Sequence, residues 1–144
     1  MTTSAQRTGT GLTLTDSRAI RRAVAVVGLV GIALIHALDL DGKLTELPYI
    51  GVLFIVLIVA SLAIAEGLMR SDGRGLWISA AVLAGLTLMG YAMSRTVGIP
   101  GDGGADVGNW LEPLGLASLV VEAFVVLVAI ARLTDNRSPS GYDS

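Results

Sequence analysis

Four apolar stretches, each about as long as a bilayer-spanning helix, occupy about half of this 144-residue chain. They cover residues 19–38, 50–69, 76–94 and 114–133. A helix needs about 20 apolar residues to cross the roughly 30 Å hydrocarbon core of a bilayer. The stretches therefore predict an all-α integral membrane protein. Because the connections between them are short, consecutive helices are expected to form an antiparallel four-helix bundle.

Composition leaves no room for a separate soluble domain, since 53% of the residues are hydrophobic. We expect a flexible tail over residues 1–17, a transmembrane domain over 18–133 and a second flexible tail over 134–144. The fourth helix is expected to begin at Pro113, because proline suits the first position of a helix. The first stretch is longer than a signal-peptide core and no cleavage site follows it, which predicts an uncleaved helix.

The distribution of basic residues predicts the orientation. With the N-terminus inside, the inner side would hold Arg7, Arg18, Arg21, Arg22, Arg70, Arg74, Arg132 and Arg137, whereas the outer side would hold Lys43 and Arg95. Short cytoplasmic segments carry the excess of Lys and Arg in membrane proteins. Both termini are therefore expected to be cytoplasmic. Cysteine is absent, which excludes disulfides, thiolate metal sites and thiol redox chemistry.

Small residues recur in all four segments at spacings that allow close helix contact. They are Gly28, Gly31, Ala60, Ala63, Gly67, Ala80, Ala81, Ala84, Gly85, Gly115, Ser118 and Ala129. Helix association in lipid depends on such residues, because there is no hydrophobic drive between helices. They favour a compact bundle, self-association into a homo-oligomer, or contact with another membrane protein.

Glu122 is the most informative polar residue. It lies about 13 Å along the helix from Pro113, at 1.5 Å per residue, and hence near the bilayer middle. A charged carboxylate facing lipid there costs about 2.5–3.5 kcal/mol, so Glu122 is expected to face the bundle or a second subunit. We predict a polar intramembrane site made of Glu122, Ser118, Thr87 and Tyr91. The alternative is a structural carboxyl that is hydrogen-bonded to Ser118 or to a neighbouring helix.

Further polar candidates lie near the predicted outer face, namely Arg95, Glu112, Asp39 and His36. Arg95 is expected to form a headgroup contact or an ion pair with Glu112 or Asp39, and an anion or substrate contact is the alternative. His36 with Met89 and Met93 forms a weak candidate copper site, since thioethers and imidazole suit Cu(I). No cofactor is otherwise predicted. Haem bound by two histidines would require a dimer, because the chain has one histidine.

The long third loop contains Asp102, Asp106 and Asn109, whose oxygens would suit Ca²⁺, but their spacing does not match an EF-hand. A glycine-rich turn is the alternative. Trp110, Trp77 and Tyr49 are expected at the membrane interface, where aromatic residues are enriched. Glu66 is expected to pair with Arg70 one helical turn away.

Catalytic templates are missing from the sequence. It contains no nucleophile elbow, no phosphate-binding loop and no HExxH motif. With one histidine and no cysteine, most nucleophile–base pairs are impossible. Nothing predicts an enzyme or a nucleic-acid partner.

Two segments of the third loop carry a resemblance. SRTVGIPG at residues 94–101 and GNWLEPLG at residues 108–115 resemble a pattern in small four-helix membrane proteins of high-GC Gram-positive bacteria. The similarity extends from the region of His36 to the fourth helix. It implies a bacterial inner membrane and four helices, and it transfers no activity and no catalytic residue. Small four-helix multidrug exporters are of similar size, but their essential carboxylate lies in the first helix, where this chain has none.

Three functional hypotheses follow. The first is a non-enzymatic accessory or interaction subunit embedded in the lipid bilayer. The second is a small proton- or cation-coupled transporter or channel that uses Glu122. The third is a copper or haem site near the outer leaflet that uses His36, Met89 and Met93.

Overall fold

Four helices make up the regular structure of the chain. A computed structural model describes residues 11–135, with side chains from residue 17 onward. The helices are α1 (Gly11–Glu46), α2 (Pro48–Arg70), α3 (Arg74–Thr96) and α4 (Pro113–Leu133), and no strand occurs in this part of the chain. The segment Ser17–Glu46 of α1 and the whole of α2, α3 and α4 are long and apolar enough to span a bilayer. The prediction of an all-helical chain is confirmed for the described residues, and the four helices are compatible with a multi-pass membrane protein.

Helix α1 extends well beyond the predicted span of residues 19–38. It begins at Gly11, within the segment predicted as a tail, and continues to Glu46, so that only Leu47 separates it from α2. The polar side chains of the last turns find partners within the helix. The Lys43 Nζ lies 3.6 Å from a Glu46 carboxylate oxygen, and the Thr45 hydroxyl donates a hydrogen bond to the Asp41 backbone carbonyl. The length of an apolar run reflects the thickness of the hydrocarbon core, and a helix can extend beyond it at either end. Residues 1–10 and 136–144 of the predicted tails, with Arg7 and Arg137, lie outside the described residues.

Prolines begin two of the helices, as predicted for Pro113. Pro48 and Pro113 occupy first-turn positions of α2 and α4. A missing N–H costs nothing there, because the first amides of a helix have no partner within it.

Helix α1 packs against both α2 and α4, and α3 packs against α4, whereas the contact between α2 and α3 is the smallest of the four. Two glycines permit the α1–α4 contact: a Cβ on Gly28 would lie 2.5 Å from a methyl of Val125, and one on Gly31 would lie 3.3 Å from Val121. The core also contains Ala25, Leu29, Ile32, Ala65, Leu68, Trp77, Ala80, Ala84 and Ala129.

The small-residue prediction holds for some positions and fails for others. Ala80, Ala84, Gly115, Ser118 and Ala129 are buried at helix contacts. In α2, however, the buried stripe is Gly51, Ser61, Ala65 and Leu68, while Ala63 is exposed. No heavy atom lies within 4 Å of a Cβ built on Gly85. Spacing alone gives the period of a stripe but not which side of the helix meets a neighbour.

The α2–α3 turn at residues 71–73 is fixed to the end of α4, and we call this region the short-turn end. Asp72 accepts a hydrogen bond of 2.6 Å from the Trp77 indole and two from Arg132, at 2.7 and 3.2 Å. Trp77 is fully buried in the first turn of α3, so its ring packs within the protein, and its place at the membrane interface stays a prediction. Its only polar atom bonds to Asp72, which leaves the ring free to fill the core.

The opposite end, which we call the long-loop end, contains the α1–α2 junction and residues 97–112. Five glycines of this loop, including Gly98 and Gly108, have positive φ angles. Residues other than glycine rarely adopt this backbone conformation. The Gly108 amide donates to the Arg95 carbonyl at 2.9 Å. The hydroxyl of Tyr49, at the start of α2, donates to the Pro100 carbonyl at 2.5 Å. The loop is thereby tied to α3 and α2.

Replacing Asp72 is expected to weaken the short-turn end in a pH-dependent way. Partial burial opposes ionisation of Asp72, but the hydrogen bonds from Arg132 and Trp77 and the nearby charges of Arg132 and Arg22 outweigh it and lower the pKa. A lowered folded-state pKa gives stability that is present above the unfolded value, near 4, and is lost as pH falls through the folded value. Asp72→Asn is therefore expected to lower the free energy of unfolding by about 1 kcal/mol at pH 7.

Thermal unfolding in detergent micelles measures this difference. The gap between wild type and Asp72→Asn is expected to shrink as the pH falls below about 4. A gap that is constant from pH 7 to pH 3 would show that the charge of Asp72 has no part in it.

Candidate functional site

A cavity of about 440 Å³ extends from the long-loop end to Glu122 and is the main candidate site. All four helices and the long loop contribute to its walls. It is lined by Ile35, His36, Asp39, Lys43, Ile50, Leu53, Phe54, Val56, Leu57, Leu83, Leu86, Thr87, Gly90, Tyr91, Ser94, Arg95, Ile99, Asp106, Glu112, Leu114, Gly115, Ser118 and Glu122. The small contact between α2 and α3 leaves space for it. Its volume is in the range of small-molecule sites, about 300–1,000 Å³.

Glu122 is among the residues that line this cavity, and its side chain is fully buried. One carboxyl oxygen accepts a hydrogen bond of 2.5 Å from the Ser118 hydroxyl, one turn earlier on α4. The other oxygen, Oε2, is buried and has no hydrogen-bond partner among the described residues. The Glu122 carboxyl therefore makes the predicted hydrogen bond to Ser118 and also has a second oxygen that is free to accept one.

Thr87 and Tyr91 lie on α3 and line the same cavity, so the structure brings together all four predicted intramembrane residues. Neither hydroxyl bonds to Glu122. Thr87 donates to the Leu83 carbonyl at 2.9 Å, and Tyr91 donates to the Trp110 carbonyl at 3.2 Å. Tyr91 instead faces Gly115, where a Cβ would lie 3.0 Å from its hydroxyl oxygen.

Arg95 forms the polar roof of the cavity, with its side chain 5% exposed. It contacts the Asp106 carboxylate at 2.6 Å and forms a close ion pair with Glu112. Its guanidinium carbon lies 4.8 Å from the centre of the Tyr91 ring, a cation–π distance. Of its two expected partners, Glu112 is found and Asp39 is not. Arg95 therefore fixes the long loop and the start of α4 to the end of α3.

Two charged residues of the cavity, Lys43 and Asp106, are not among the site residues that the sequence predicts. Asp106 lies between the two cations, 2.6 Å from Arg95 and 3.9 Å from Lys43. A carboxylate among glycines in the longest loop is a signal for Asp106, but the sequence suggests only a Ca²⁺ ligand or a glycine-rich turn for it. Nothing in the sequence indicated Lys43, because α1 was expected to end before it.

His36 and Asp39 also line the cavity, as parts of α1. The His36 Nδ1 lies 2.9 Å from the Ile32 carbonyl and therefore carries the proton of that hydrogen bond. The imidazole also makes an edge-to-face contact with Phe54, at 4.7 Å between ring centres.

The candidate copper ligands are not brought together. Met89 and Met93 are 54% and 50% exposed and do not line the cavity that contains His36. The proposed calcium ligands also point to other partners, since Asp102 accepts a bond from the Gly104 amide and Asp106 faces Arg95. Within the described residues, no group of three or more His, Cys, Asp or Glu side chains is arranged to hold a metal ion.

The charged side chains of the cavity differ in whether they are already paired. Its two cationic groups, Lys43 and Arg95, already face carboxylates. Among residues 17–135, neither Asp39 nor Glu122 forms an ion pair. The predicted pair of Glu66 and Arg70, at 2.6 Å, is confirmed and lies outside the cavity.

Comparisons of the chain with protein-family models, curated proteins and solved structures find no match.

Replacing Gly115 tests how closely α4 approaches Tyr91. A methyl group at this position overlaps the Tyr91 ring, which is already fixed by Trp110 and Arg95. Gly115→Ala is expected to lower the free energy of unfolding by about 1–3 kcal/mol through overpacking. Gly85→Ala is the matched control, because its Cβ has no neighbour within 4 Å. Equal unfolding temperatures for the two variants would contradict this packing.

Proposed function

We propose that this chain is a small multi-pass transporter that exchanges a proton for a cation at Glu122. The single observation that carries the proposal is the buried Glu122 carboxyl, which lines the cavity and has one oxygen without a partner among the described residues. Ionisable residues at membrane depth usually face a cavity and mark ion or proton pathways.

The proposed exchange follows from charge balance. An ionised carboxylate within hydrocarbon is costly unless a cation lies beside it. Among the described residues, no cationic side chain forms an ion pair with Glu122. The protonated carboxyl is neutral and is stable in an empty cavity. Arrival of a cation provides the missing countercharge, and the proton then leaves. Ser118 holds one carboxyl oxygen in both forms, since its hydroxyl both donates and accepts.

We further propose that the helices form an antiparallel bundle in a bacterial inner membrane, with both termini cytoplasmic. Contacts between Arg132 and Asp72 at one end, and between Arg95 and Glu112 at the other, support the antiparallel arrangement. The excess of arginine beside the short-turn end supports the orientation. The resemblance to membrane proteins of high-GC Gram-positive bacteria supports the location. An accessory role and self-association stay predictions.

Substituting Glu122 tests the exchange directly. In proteoliposomes containing a pH-sensitive dye, an added gradient of Na⁺, K⁺, tetramethylammonium or ethidium is expected to drive proton movement through the wild-type protein. Glu122→Gln keeps the shape of the side chain and its bond to Ser118 but cannot release a proton. It is expected to abolish the coupled proton movement.

Glu66→Gln is the matched control, because it is the same substitution on an exposed helix face outside the cavity. It is expected to leave the coupled rate unchanged. Proton movement that is equal in wild type and Glu122→Gln for every cation tested would contradict the proposed function.

Single cysteines test the orientation without background labelling, since the chain has none of its own. Ser71 in the short turn and Ala105 in the long loop are both exposed. A membrane-impermeant maleimide added to intact bacteria is expected to label Ala105→Cys, and to label Ser71→Cys only after permeabilisation. The reverse pattern would place both termini outside.

A further inference from the structure

We propose that the cation taken up by the Glu122 cavity is a lipophilic organic monocation that enters from the bilayer between α2 and α3. This inference rests on the proposed function and adds to it the class of substrate and its route.

The walls of the cavity around Glu122 favour an apolar ligand. Apolar side chains supply most of the cavity surface, and those from α2 and α3 include Leu57, Leu83, Leu86 and Phe54. Burial of apolar surface stabilises a ligand in such a site.

A small inorganic cation lacks the ligands that it needs here. Hard cations are held by several oxygen atoms that replace their hydration shell. Around Glu122 the cavity lining provides the hydroxyls of Ser118 and Thr87, which together with the carboxyl make fewer oxygen ligands than the roughly six to eight that a hard cation such as Ca²⁺ takes. An organic cation spreads its charge and has no such requirement, so one carboxylate is enough to balance it.

The charges of the cavity also disfavour an anion. Arg95 is held between Asp106 and Glu112, and Lys43 lies between Glu46 and Asp106. An anionic ligand would need one of these cations to be released. Glu122 and Asp39, in contrast, are carboxylates that form no ion pair within the described residues.

The α2–α3 cleft provides the route. Leu53 and Val56 of α2 and Leu86 of α3 line the cavity, and each is more than half exposed. All three lie within segments that are long and apolar enough to span a membrane. The cavity wall therefore continues onto the surface that lipid would contact, and a lipophilic cation dissolved in the bilayer reaches it without crossing the charged roof.

Binding of two cations of equal charge tests the class of ligand. With the full-length protein in lipid nanodiscs, and with empty nanodiscs subtracted, tetraphenylphosphonium is expected to bind about 100-fold more tightly than tetramethylammonium. About 55 Å² of buried apolar surface corresponds to about tenfold in affinity, and several phenyl rings bury more than twice that area. Tetraphenylphosphonium is expected to release one proton on binding to wild type and none on binding to Glu122→Gln.

Two glycines of α3 test the route. Gly90 lines the cavity, Gly85 does not, and a Cβ on either meets no heavy atom within 4 Å. Gly90→Leu narrows the cleft and is expected to slow tetraphenylphosphonium association about tenfold, in the range seen among variants of one site. Gly85→Leu places the same side chain away from the cavity and is expected to leave the rate unchanged. Leu53→Trp narrows the cleft from the α2 side and serves if Gly90→Leu does not fold.

The outcomes separate this inference from the proposed function. If tetramethylammonium or Na⁺ releases a proton through Glu122 and tetraphenylphosphonium does not, the lipophilic class is wrong and the exchange stands. If tetraphenylphosphonium binds but neither Gly90→Leu nor Leu53→Trp slows its association, the lateral route is wrong. If no cation releases a proton through Glu122, the proposed function and this inference both fail.

Discussion

Hydrocarbon does not hydrate polar groups, and this constraint determines most of the arrangement of the protein. Each backbone amide in a span must be satisfied within its helix, and the hydroxyls of Thr87 and Ser94 bond to carbonyls of their own helix. The buried guanidinium of Arg95 is compensated by two carboxylates and an aromatic ring. The Ser61 hydroxyl, the Arg95 Nε and one Glu122 oxygen are buried without a partner among the described residues. Of these three groups, Glu122 alone is an ionisable group that forms no ion pair there. The functional proposal therefore centres on it.

The two ends of the molecule solve the same electrostatic problem in different ways. At the short-turn end a single carboxylate, Asp72, joins the α2–α3 turn to α4. At the long-loop end Arg95 joins two carboxylates across a glycine-rich loop. The contact between α2 and α3 is smaller than those of the other three helix pairs that pack together, and side chains of both helices line the cavity. Because ion pairs fix the helices at both ends of the molecule, a chain of this size can contain a cavity.

Several features of the fold and site could be predicted from the sequence because they depend on local patterns. Apolar run length indicated the four helices, Pro113 the start of α4, and the isolated carboxyl of Glu122 an inward-facing site. Contacts between distant segments could not be predicted. The choice of Asp106 rather than Asp39 as partner of Arg95 depends on the path of the loop, and the burial of Trp77 depends on Asp72 lying beside it. Met89 and Met93 matched His36 in expected depth, but their direction around α3 places them on the exposed surface.

The burial of Trp77 has a spectroscopic consequence. The chain has two tryptophans, and the length of α3 separates them. Trp77 is fully buried at the short-turn end, whereas Trp110 is 42% exposed beside Tyr91 at the long-loop end. The protein therefore carries an internal fluorophore at each end, one shielded from quenchers and one more exposed to them. Emission from Trp110 reports on the long-loop end, while emission from Trp77 serves as a reference within the same molecule.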